Sequence, residues 1–448
     1  MTLANLNSNL DQARRLTLSG QVLQAELLYG NILKDWPGQL TALRALADIA
    51  MHRDDAPRAL GFLVEAVHRH PADRELALSY ASVLVKVQRL PEAADWLEAV
   101  VARDPKFYAA WLFLGQLREA KGDAYGALRA RFEAIIGAQR SGLWLGEDTT
   151  EPQILQQVIR AVEQVRKGRE MLLYESYGEL RKQLGTTALG RVDKALAGYL
   201  RKWNATPPDP RQRPRFFYFP DLPDTPYHDP FLQPWASQLQ SSVDVIRNDA
   251  LRVFAEDQKF QPFLVSKGSN PTQEHIKGNG ADGARAPAWD AFFFYRHGER
   301  FDKNHDRCPG TSAVLESIEL CRIADQSPEI CFSVLGPGTQ IMPHFGVSNV
   351  RLVTHLPLVV PCDCALNILD AGEHHWQDGK LMMFDDTFQH EAWNRSNSPR
   401  IVLLMDCWNP HLTMPEKIAV KQLIEMITAF QLADRAAQVA EEGEGAPA

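Results

Sequence analysis

The 448-residue sequence has no long run of apolar residues. No stretch approaches the roughly 18 uninterrupted apolar residues that a membrane-spanning helix needs. The N-terminus, MTLANLNSNLDQARRL, also lacks an apolar core of signal-peptide length. These absences predict a cytoplasmic protein without a membrane span.

Cysteine is scarce, and all six cysteines lie in the C-terminal third of the chain, at positions 308, 321, 331, 362, 364 and 407. Without a secretion signal, we expect reduced thiols rather than a disulfide framework. Basic residues are not in excess either, since the net charge is −8 and the pI is near 5.9. This charge argues against a nucleic-acid binder that works through a broad basic surface. The length predicts two or three domains.

A period of 34 residues runs through the first third of the chain. Alanine recurs at positions 25, 59, 93 and 127, and proline at 37, 71 and 105. The small residue lets paired helices approach closely, and the proline ends the second helix of each pair. The pattern predicts two short helices in each of four blocks, 6–39, 40–73, 74–107 and 108–141, within a repeat domain at 1–141.

This period and layout resemble the tetratricopeptide repeat. Such repeats stack into an α-helical superhelix whose concave face usually binds an extended peptide or a partner protein. We therefore expect this face to present a peptide or protein substrate. The oligomeric state stays open.

The middle of the chain predicts a change from helices to a second domain. Residues 142–204 keep a helical pattern and are interpreted as a bridge that caps the last repeat.

The proline-rich, aromatic segment 205–230 predicts a chain that wraps onto the following domain. Residues 266–288 are polar and glycine-rich and are interpreted as a surface loop, for which a lid and a plain excursion both stay open. The tail 416–448 predicts a helix followed by a disordered acidic end.

Short runs of β character follow residue 289. They are separated by turn signals such as GPG at 336–338 and QDGK at 377–380. Many short strands with turns between them predict a jelly-roll sandwich or barrel at residues 205–415. The predicted strands lie near 291–296, 329–335, 351–360, 364–369, 380–384 and 400–407.

Two of the thirteen histidines have the spacing of an iron site. Non-haem iron oxygenases bind Fe(II) through two histidines and usually one carboxylate, which leaves positions for 2-oxoglutarate and O2. In the jelly-roll versions, an H-x-D/E motif comes first, a distal histidine follows some tens of residues later, and a basic residue lies about ten further on. Here His344 and His390 are 46 apart, and Arg400 is ten past His390. Its planar guanidinium suits a carboxylate. The carboxylate position, however, is Gly346, which cannot bind a metal.

Three long stretches resemble the aspartyl/asparaginyl β-hydroxylase family: CFSVLGPGTQIMPHFGVSNVRLVTHLPLVVP, DGKLMMFDDTFQHEAWNRS and RIVLLMDCWNPHLT. The resemblance extends from about Arg213 to Thr413 and includes WDAFFFYRHGER and CPGTSAVLE. Members of this family have glycine in place of the carboxylate ligand, so Gly346 agrees with the family pattern.

The resemblance implies a role for each matching position. His344 and His390 would hold the iron, with water in the vacant carboxylate position, and they would be the catalytic residues. Arg400 would bind the distal carboxylate of 2-oxoglutarate with help from Ser333. His355 would also contact this cosubstrate.

One of the two positions expected to face the substrate has a different residue from the one usual in the family. Arg351 would face an acidic group of the substrate. The family usually has a second arginine two residues later, where this chain has Val353. That arginine helps to fix anionic groups near the metal, so its absence bears on substrate choice or cosubstrate affinity.

The predicted function is that of an Fe(II)/2-oxoglutarate-dependent dioxygenase that hydroxylates the β-carbon of an Asp or Asn residue in a peptide or protein. Two alternatives stay open. One is a hydroxylase of a small-molecule or lipid-linked substrate, and the other is a repeat-based interaction protein whose oxygenase-like domain is not catalytic.

Overall fold

The computed structural model describes residues 3–256, 260–263, 276–278 and 288–443. Within it, residues up to Leu172 belong to one compact unit and Leu173–Asp434 to another. No helix in the described ranges is long and apolar enough to cross a membrane. Most of the predicted loop 266–288 lies outside the described residues.

The first unit begins with eight helices, and each one packs on the next. Helices α3, α5 and α7 begin at the first residues of the blocks predicted from the 34-residue period. The helices are α1 (Leu3–Leu18), α2 (Val22–Asp35), α3 (Leu40–His52), α4 (Ala56–Arg69), α5 (Arg74–Lys86), α6 (Leu90–Arg103), α7 (Tyr108–Ala120) and α8 (Ala124–Arg140). The four periodic alanines are at most 1% exposed, as expected where helices approach closely. The prediction of paired helical repeats is confirmed.

The turn inside each helix pair repeats with the same period. Gly20, Asp54, Gln88 and Gly122 all have a positive φ, between 59° and 83°. In each turn, the next backbone N–H donates to the carbonyl five residues earlier, as in Asp55 N to Ala50 O at 2.9 Å. A left-handed residue with this hydrogen bond ends an α-helix and reverses the chain. The repeat therefore has a fixed helix-ending geometry that the sequence marks with glycine in only two of the four cases.

Helices also follow the repeats, as predicted for 142–204. They are α9 (Leu155–Leu184) and α10 (Gly190–Tyr199). The division between the compact units falls inside α9. From Leu173 onward its apolar residues pack with α10 and with Phe217 and Phe219 of the proline-rich segment. Phe219 also donates its backbone N–H to Asn349 Oδ1 at 2.8 Å. The prediction that this segment wraps onto the β domain is confirmed, and the capping role of the bridge stays a prediction.

The second unit contains two antiparallel sheets. Its strands are β1 (Tyr227–His228), β2 (Gln261–Pro262), β3 (Ile276–Gly278), β4 (Trp289–Arg296), β5 (Glu299–Arg300), β6 (Ile330–Leu335), β7 (Thr339–His344), β8 (Arg351–Val359), β9 (Cys364–Ile368), β10 (Gly372–His375), β11 (Met382–Phe384), β12 (His390–Asn394) and β13 (Arg400–Trp408). The larger sheet has the order β1-β11-β8-β13-β6-β4-β2, with β5 paired to β4, and the smaller has the order β10-β9-β12-β7-β3.

Apolar residues of both sheets share one core, in which Leu366 and Ala392 of the smaller sheet meet Leu335 and Phe384 of the larger. The other face of the larger sheet packs against further helices, and Leu239 and Ile246 lie in that second core. These helices are α11 (Ala236–Ser241), α12 (Val243–Ala255), α13 (Asp302–Arg307) and α14 (Pro309–Glu316), and α15 (Met414–Gly443) follows the last strand.

All six strands predicted from the sequence are present. The prediction missed β7, β10 and β12, besides the shortest strands. Two of these missed strands carry the candidate metal-binding histidines.

Candidate active site

The two candidate metal-binding histidines face each other across a strand pair. His344 is the last residue of β7, and His390 is the first residue of β12. The strands are antiparallel, and the Cα of His390 lies opposite the Cα of His344. The centroids of the two rings are 4.1 Å apart. This pairing brings together two side chains that are 46 positions apart in the sequence.

Hydrogen bonds to the backbone determine the tautomer of both rings. Nδ1 of His344 lies 2.8 Å from the carbonyl oxygen of Met342, and Nδ1 of His390 lies 3.0 Å from that of Phe388. A carbonyl only accepts, so each Nδ1 carries a hydrogen, and each Nε2 carries the lone pair when its ring is neutral. Burial also lowers the pKa of His390, which keeps that ring neutral. Imidazoles held in this tautomer are suited to bind a divalent transition metal through Nε2.

The strand pair brings two histidine side chains within reach of one metal ion. Among the described residues, no three His, Cys, Asp or Glu side chains form a metal-binding group. Two histidines alone leave further coordination positions of a metal ion for other molecules.

Arg400 begins β13 and is only 2% exposed. Its Nε and Nη1 have no hydrogen-bond partner within the described part of the chain. Burial lowers the pKa of Arg400 to about 10, which still leaves the guanidinium charged at neutral pH. A buried cation without a carboxylate partner is unfavourable unless a ligand supplies the anion. Arg400 is therefore a strong candidate for binding the carboxylate of a ligand.

Ser333 and His355 lie in the larger sheet and are both buried. Trp289 donates its indole N–H to the Ser333 hydroxyl oxygen at 3.1 Å, so the Ser333 hydroxyl can donate its own hydrogen elsewhere. Nε2 of His355 has no hydrogen-bond partner among the described residues. Burial and the nearby Arg400 lower the pKa of His355 well below its usual range, so its ring is neutral.

Arg351, predicted to face the substrate, begins β8 and already has an acidic partner. Its Nη1 donates to Asp406 and to the backbone oxygen of Gln326 at 3.2 Å. Asp406 also accepts hydrogen bonds from the Ser327 hydroxyl at 2.6 Å and from the backbone of Glu329 at 3.0 Å. The guanidinium is therefore held in place, and part of its charge is balanced before any substrate arrives.

Gly346 has an acidic neighbour that was not predicted. A Cβ added at Gly346 would lie 2.0 Å from Cγ of Asp386. Oδ1 of Asp386 is buried and has no hydrogen-bond partner in the described ranges. Burial raises the pKa of Asp386 to about 6. The usual motif has a carboxylate residue at the position of Gly346. Here the carboxylate of Asp386, from another segment, fills the space beside that position. The only sequence signal is the acidic pair in FDDTFQH.

All six predicted site residues line one cavity of about 440 Å³. They are Ser333, His344, Arg351, His355, His390 and Arg400. Val353 and Asp386 line the same cavity, as does Trp376, which sequence reasoning also missed. The histidines, the arginines and the serine therefore form one site.

Comparisons with known proteins find similarity to the part of the chain that contains this cavity. The family described as Aspartyl/Asparaginyl beta-hydroxylase matches residues 240–410. The human "Aspartate beta-hydroxylase domain-containing protein 2" is 28% identical over 257 residues, which are 57% of this chain and 66% of that protein. The "Ornithine lipid ester-linked acyl 2-hydroxylase" of Rhizobium tropici is 30% identical over 191 residues, 42% of this chain and 62% of that protein.

The chain thus spans slightly less than two thirds of the length of each of these two relatives. Among solved structures, the Sgt2 TPR domain from Aspergillus fumigatus is similar to part of the chain. The match covers 28% of this chain and 79% of that one, with 20% identity and a TM-score of 0.23.

Proposed function

Because the chain carries an aspartyl/asparaginyl β-hydroxylase domain at residues 240–410, we propose that it is an Fe(II)- and 2-oxoglutarate-dependent dioxygenase that hydroxylates an unactivated carbon. One juxtaposition supports this most directly. Two histidines whose rings are 4.1 Å apart share a cavity with the buried guanidinium of Arg400, whose Nε and Nη1 have no partner among the described residues. The two antiparallel sheets are the two faces of the jelly roll in this proposal.

The donor atoms divide between the metal and the cosubstrate. Nε2 of His344 and Nε2 of His390 would hold Fe(II). Arg400 would bind the distal carboxylate of 2-oxoglutarate, with the Ser333 hydroxyl as a second donor and His355 as a third. When bound, iron and 2-oxoglutarate supply the oxidising power that inserts one atom of O2 into a C–H bond, with succinate and CO2 as co-products.

The protein's own contribution is to orient these groups and exclude water. The backbone carbonyls of Met342 and Phe388 hold the two imidazoles in one tautomer, so that neither ring has to reorganise. Burial of Arg400 strengthens its interaction with a carboxylate, because few water molecules compete there. Asp386 Oδ1, which is buried and has no partner among the described residues, would serve as a hydrogen-bond acceptor in the same cavity.

We infer that the substrate is an Asp or Asn residue in a peptide or protein. Arg351 supports this, because it lies at the cavity with its orientation fixed by Asp406. A guanidinium held in this way suits a short carboxylate or carboxamide side chain. The helical repeats would present the peptide.

A second candidate is a hydroxylase of a small-molecule or lipid-linked substrate. The similarity to the Rhizobium tropici protein, whose name describes an acyl hydroxylase, supports this alternative. Val353 supports it as well, because an apolar side chain lies where the family usually has a cation. An interaction protein with a non-catalytic domain is a third alternative.

The reaction is tested by anaerobic purification, addition of Fe(II) and measurement of succinate formed from 2-oxoglutarate. Turnover should require a substrate, and His344→Ala should abolish it. His375→Ala is the matched control, because this exposed histidine of β10 lies 3.5 Å from Glu373 and is not among the residues that line the cavity. If the wild type makes no succinate with any candidate substrate while His344→Ala still binds iron, the proposal is wrong.

The role of the repeats is tested by deleting residues 1–141. If they present a peptide, the activity on a peptide substrate should fall, and the activity on a small substrate should be unchanged. Equal losses on both substrates would contradict this role.

A further inference from the structure

Trp376 contacts two of the three groups assigned to 2-oxoglutarate. It follows β10, is 5% exposed and lies in the core between the two sheets. We propose that Trp376 is a positioning residue that directs His355 and Arg400 toward the cosubstrate. This inference depends on the proposed function, since it concerns how the same cavity recognises its cosubstrate.

The first step concerns the proton of His355. The indole Nε1 of Trp376 lies 3.2 Å from Nδ1 of His355. An indole N–H can only donate, so Nδ1 must be the acceptor and the ring hydrogen must be on Nε2. That hydrogen has no acceptor among the described residues. Trp376 therefore turns His355 into a neutral hydrogen-bond donor toward the cavity.

The second step concerns the charge of Arg400. Its Cζ lies 4.9 Å from the centroid of the Trp376 ring, which is within the range of a cation–π interaction. Within the described ranges, no carboxylate forms a salt bridge with Arg400. An aromatic face stabilises the cation without occupying its N–H groups, whereas an ion pair would compete with the ligand. Nε and Nη1 accordingly stay available for a carboxylate.

Together these contacts define what the cavity can bind. Arg400 and His355 both present donors, and so does the hydroxyl of Ser333. A ligand that satisfies all three must carry only acceptors at these points, as the carboxylates of a 2-oxo diacid do. One indole therefore holds two of these three groups in the donor-only arrangement that such an acid requires.

The experiment separates the two contacts with Trp376→Phe and Trp376→Leu. Phenylalanine keeps an aromatic face for Arg400 and removes the N–H, whereas leucine removes both. Trp393→Phe is the matched control, because Trp393 is a buried tryptophan of the same domain whose Nε1 has no partner in the described chain and which does not line the cavity. Binding of 2-oxoglutarate is measured by calorimetry on Mn(II)-loaded protein, and KM and kcat are measured with Fe(II).

We expect Trp376→Phe to weaken 2-oxoglutarate binding about tenfold, since one hydrogen bond to a neutral partner contributes roughly that much. Trp376→Leu should weaken it by about 100-fold, and Trp393→Phe by less than about twofold. The KM for 2-oxoglutarate should rise while kcat changes less, because the lost contacts act on binding in the ground state and in the transition state alike. If Trp376→Leu does not fold, Trp376→Phe carries the test.

A spectroscopic measurement tests the inference without cosubstrate. Nitrogen NMR of ¹⁵N-histidine-labelled protein should show His355 as the Nε2–H tautomer in the wild type and as a mixture in Trp376→Phe. In a His355→Phe background, Trp376→Phe should have no further effect on binding. If Trp376→Phe keeps both the tautomer and the affinity, this inference is wrong and the proposed function stands. If the wild type itself does not bind 2-oxoglutarate, the proposed function fails instead.

Discussion

At the scale of single residues, the site contains a close contact between Gly346 and Asp386. The usual motif would place a carboxylate at position 346, and this chain has glycine there. The sequence alone shows that the carboxylate ligand is missing. It does not show that Asp386 lies beside Gly346, because only the folded chain brings these two residues together. The backbone N–H of Gly346 also donates to the carbonyl oxygen of Asp386 at 2.6 Å. Glycine leaves room here for the carboxylate, which a Cβ would meet.

The first prediction concerns Gly346→Ala. The new methyl group would lie 2.0 Å from Cγ of Asp386, so the carboxylate has to move. We expect a loss of about 1–3 kcal/mol in the free energy of unfolding, as for other overpacked sites. Succinate formation should fall as well. Urea denaturation and the turnover assay measure the two effects.

The control is the double variant Gly346→Ala with Asp386→Ala. It removes the clashing carboxylate, so stability should recover while turnover stays low. A single variant as stable as the wild type would show that Asp386 moves without cost and that glycine is not required.

His228 gives a prediction of how stability depends on pH. It lies on β1 near His411, with ring centroids 6.4 Å apart. Burial, and to a smaller extent His411, lowers its pKa to about 4 from a usual value of 6.5. Between these values the unfolded chain binds a proton that the folded chain does not. The free energy of unfolding therefore carries no penalty from His228 above pH 6.5, and it decreases as the pH falls toward 4.

The size of this effect is at most about 3 kcal/mol, which corresponds to the shift in pKa. His228→Gln should make the free energy of unfolding less dependent on pH between 6.5 and 4. Urea denaturation at several pH values measures this dependence, and an unchanged slope in His228→Gln would contradict the assignment.

At the scale of secondary-structure elements, the helices followed from the sequence better than the strands that form the site. Alanine and proline at a constant spacing are local signals, so the start of α3, α5 and α7 could be read directly. The sequence does not predict β7 and β12 because TQIMPH contains a proline, and neither TQIMPH nor HEAWN alternates regularly between apolar and polar residues. Their existence depends on pairing between distant segments, which no local pattern records.

The helix-ending turns give a prediction at this scale. Gln88 has a positive φ of 61°, at the position where two other repeats have glycine. Gln88→Gly should therefore remove backbone strain and stabilise the repeats by roughly 0.5–1 kcal/mol. Gly122→Ala, at the equivalent turn with φ 83°, should destabilise them by a similar amount. Thermal unfolding followed by circular dichroism tests both, and shifts of the same sign in the two variants would refute the prediction.

At the scale of the whole molecule, the chain has separate hydrophobic cores. One set of apolar residues joins the helices between Leu43 and Ala161, and other sets lie within the β domain and the helices around it. The sequence predicted two kinds of domain because the helical period ends and short strands begin. The limit between the compact units, inside α9, could not be seen in the sequence, since the helical pattern continues without a break.

Separate cores predict two thermal unfolding transitions, one sensitive to the ligand and the other to substitutions in the repeats. If the proposed function is right, Mn(II) together with 2-oxoglutarate at 100 times its dissociation constant should stabilise the second unit by about 2.7 kcal/mol, which raises its transition by roughly 5–10 °C. The transition of the repeats should not move, and Gln88→Gly should shift only that one. Arg400→Gln should abolish the ligand-induced shift, because it removes the group assigned to the carboxylate. Calorimetry distinguishes these outcomes: a single transition that responds to both the ligand and Gln88→Gly would show that the two units unfold together.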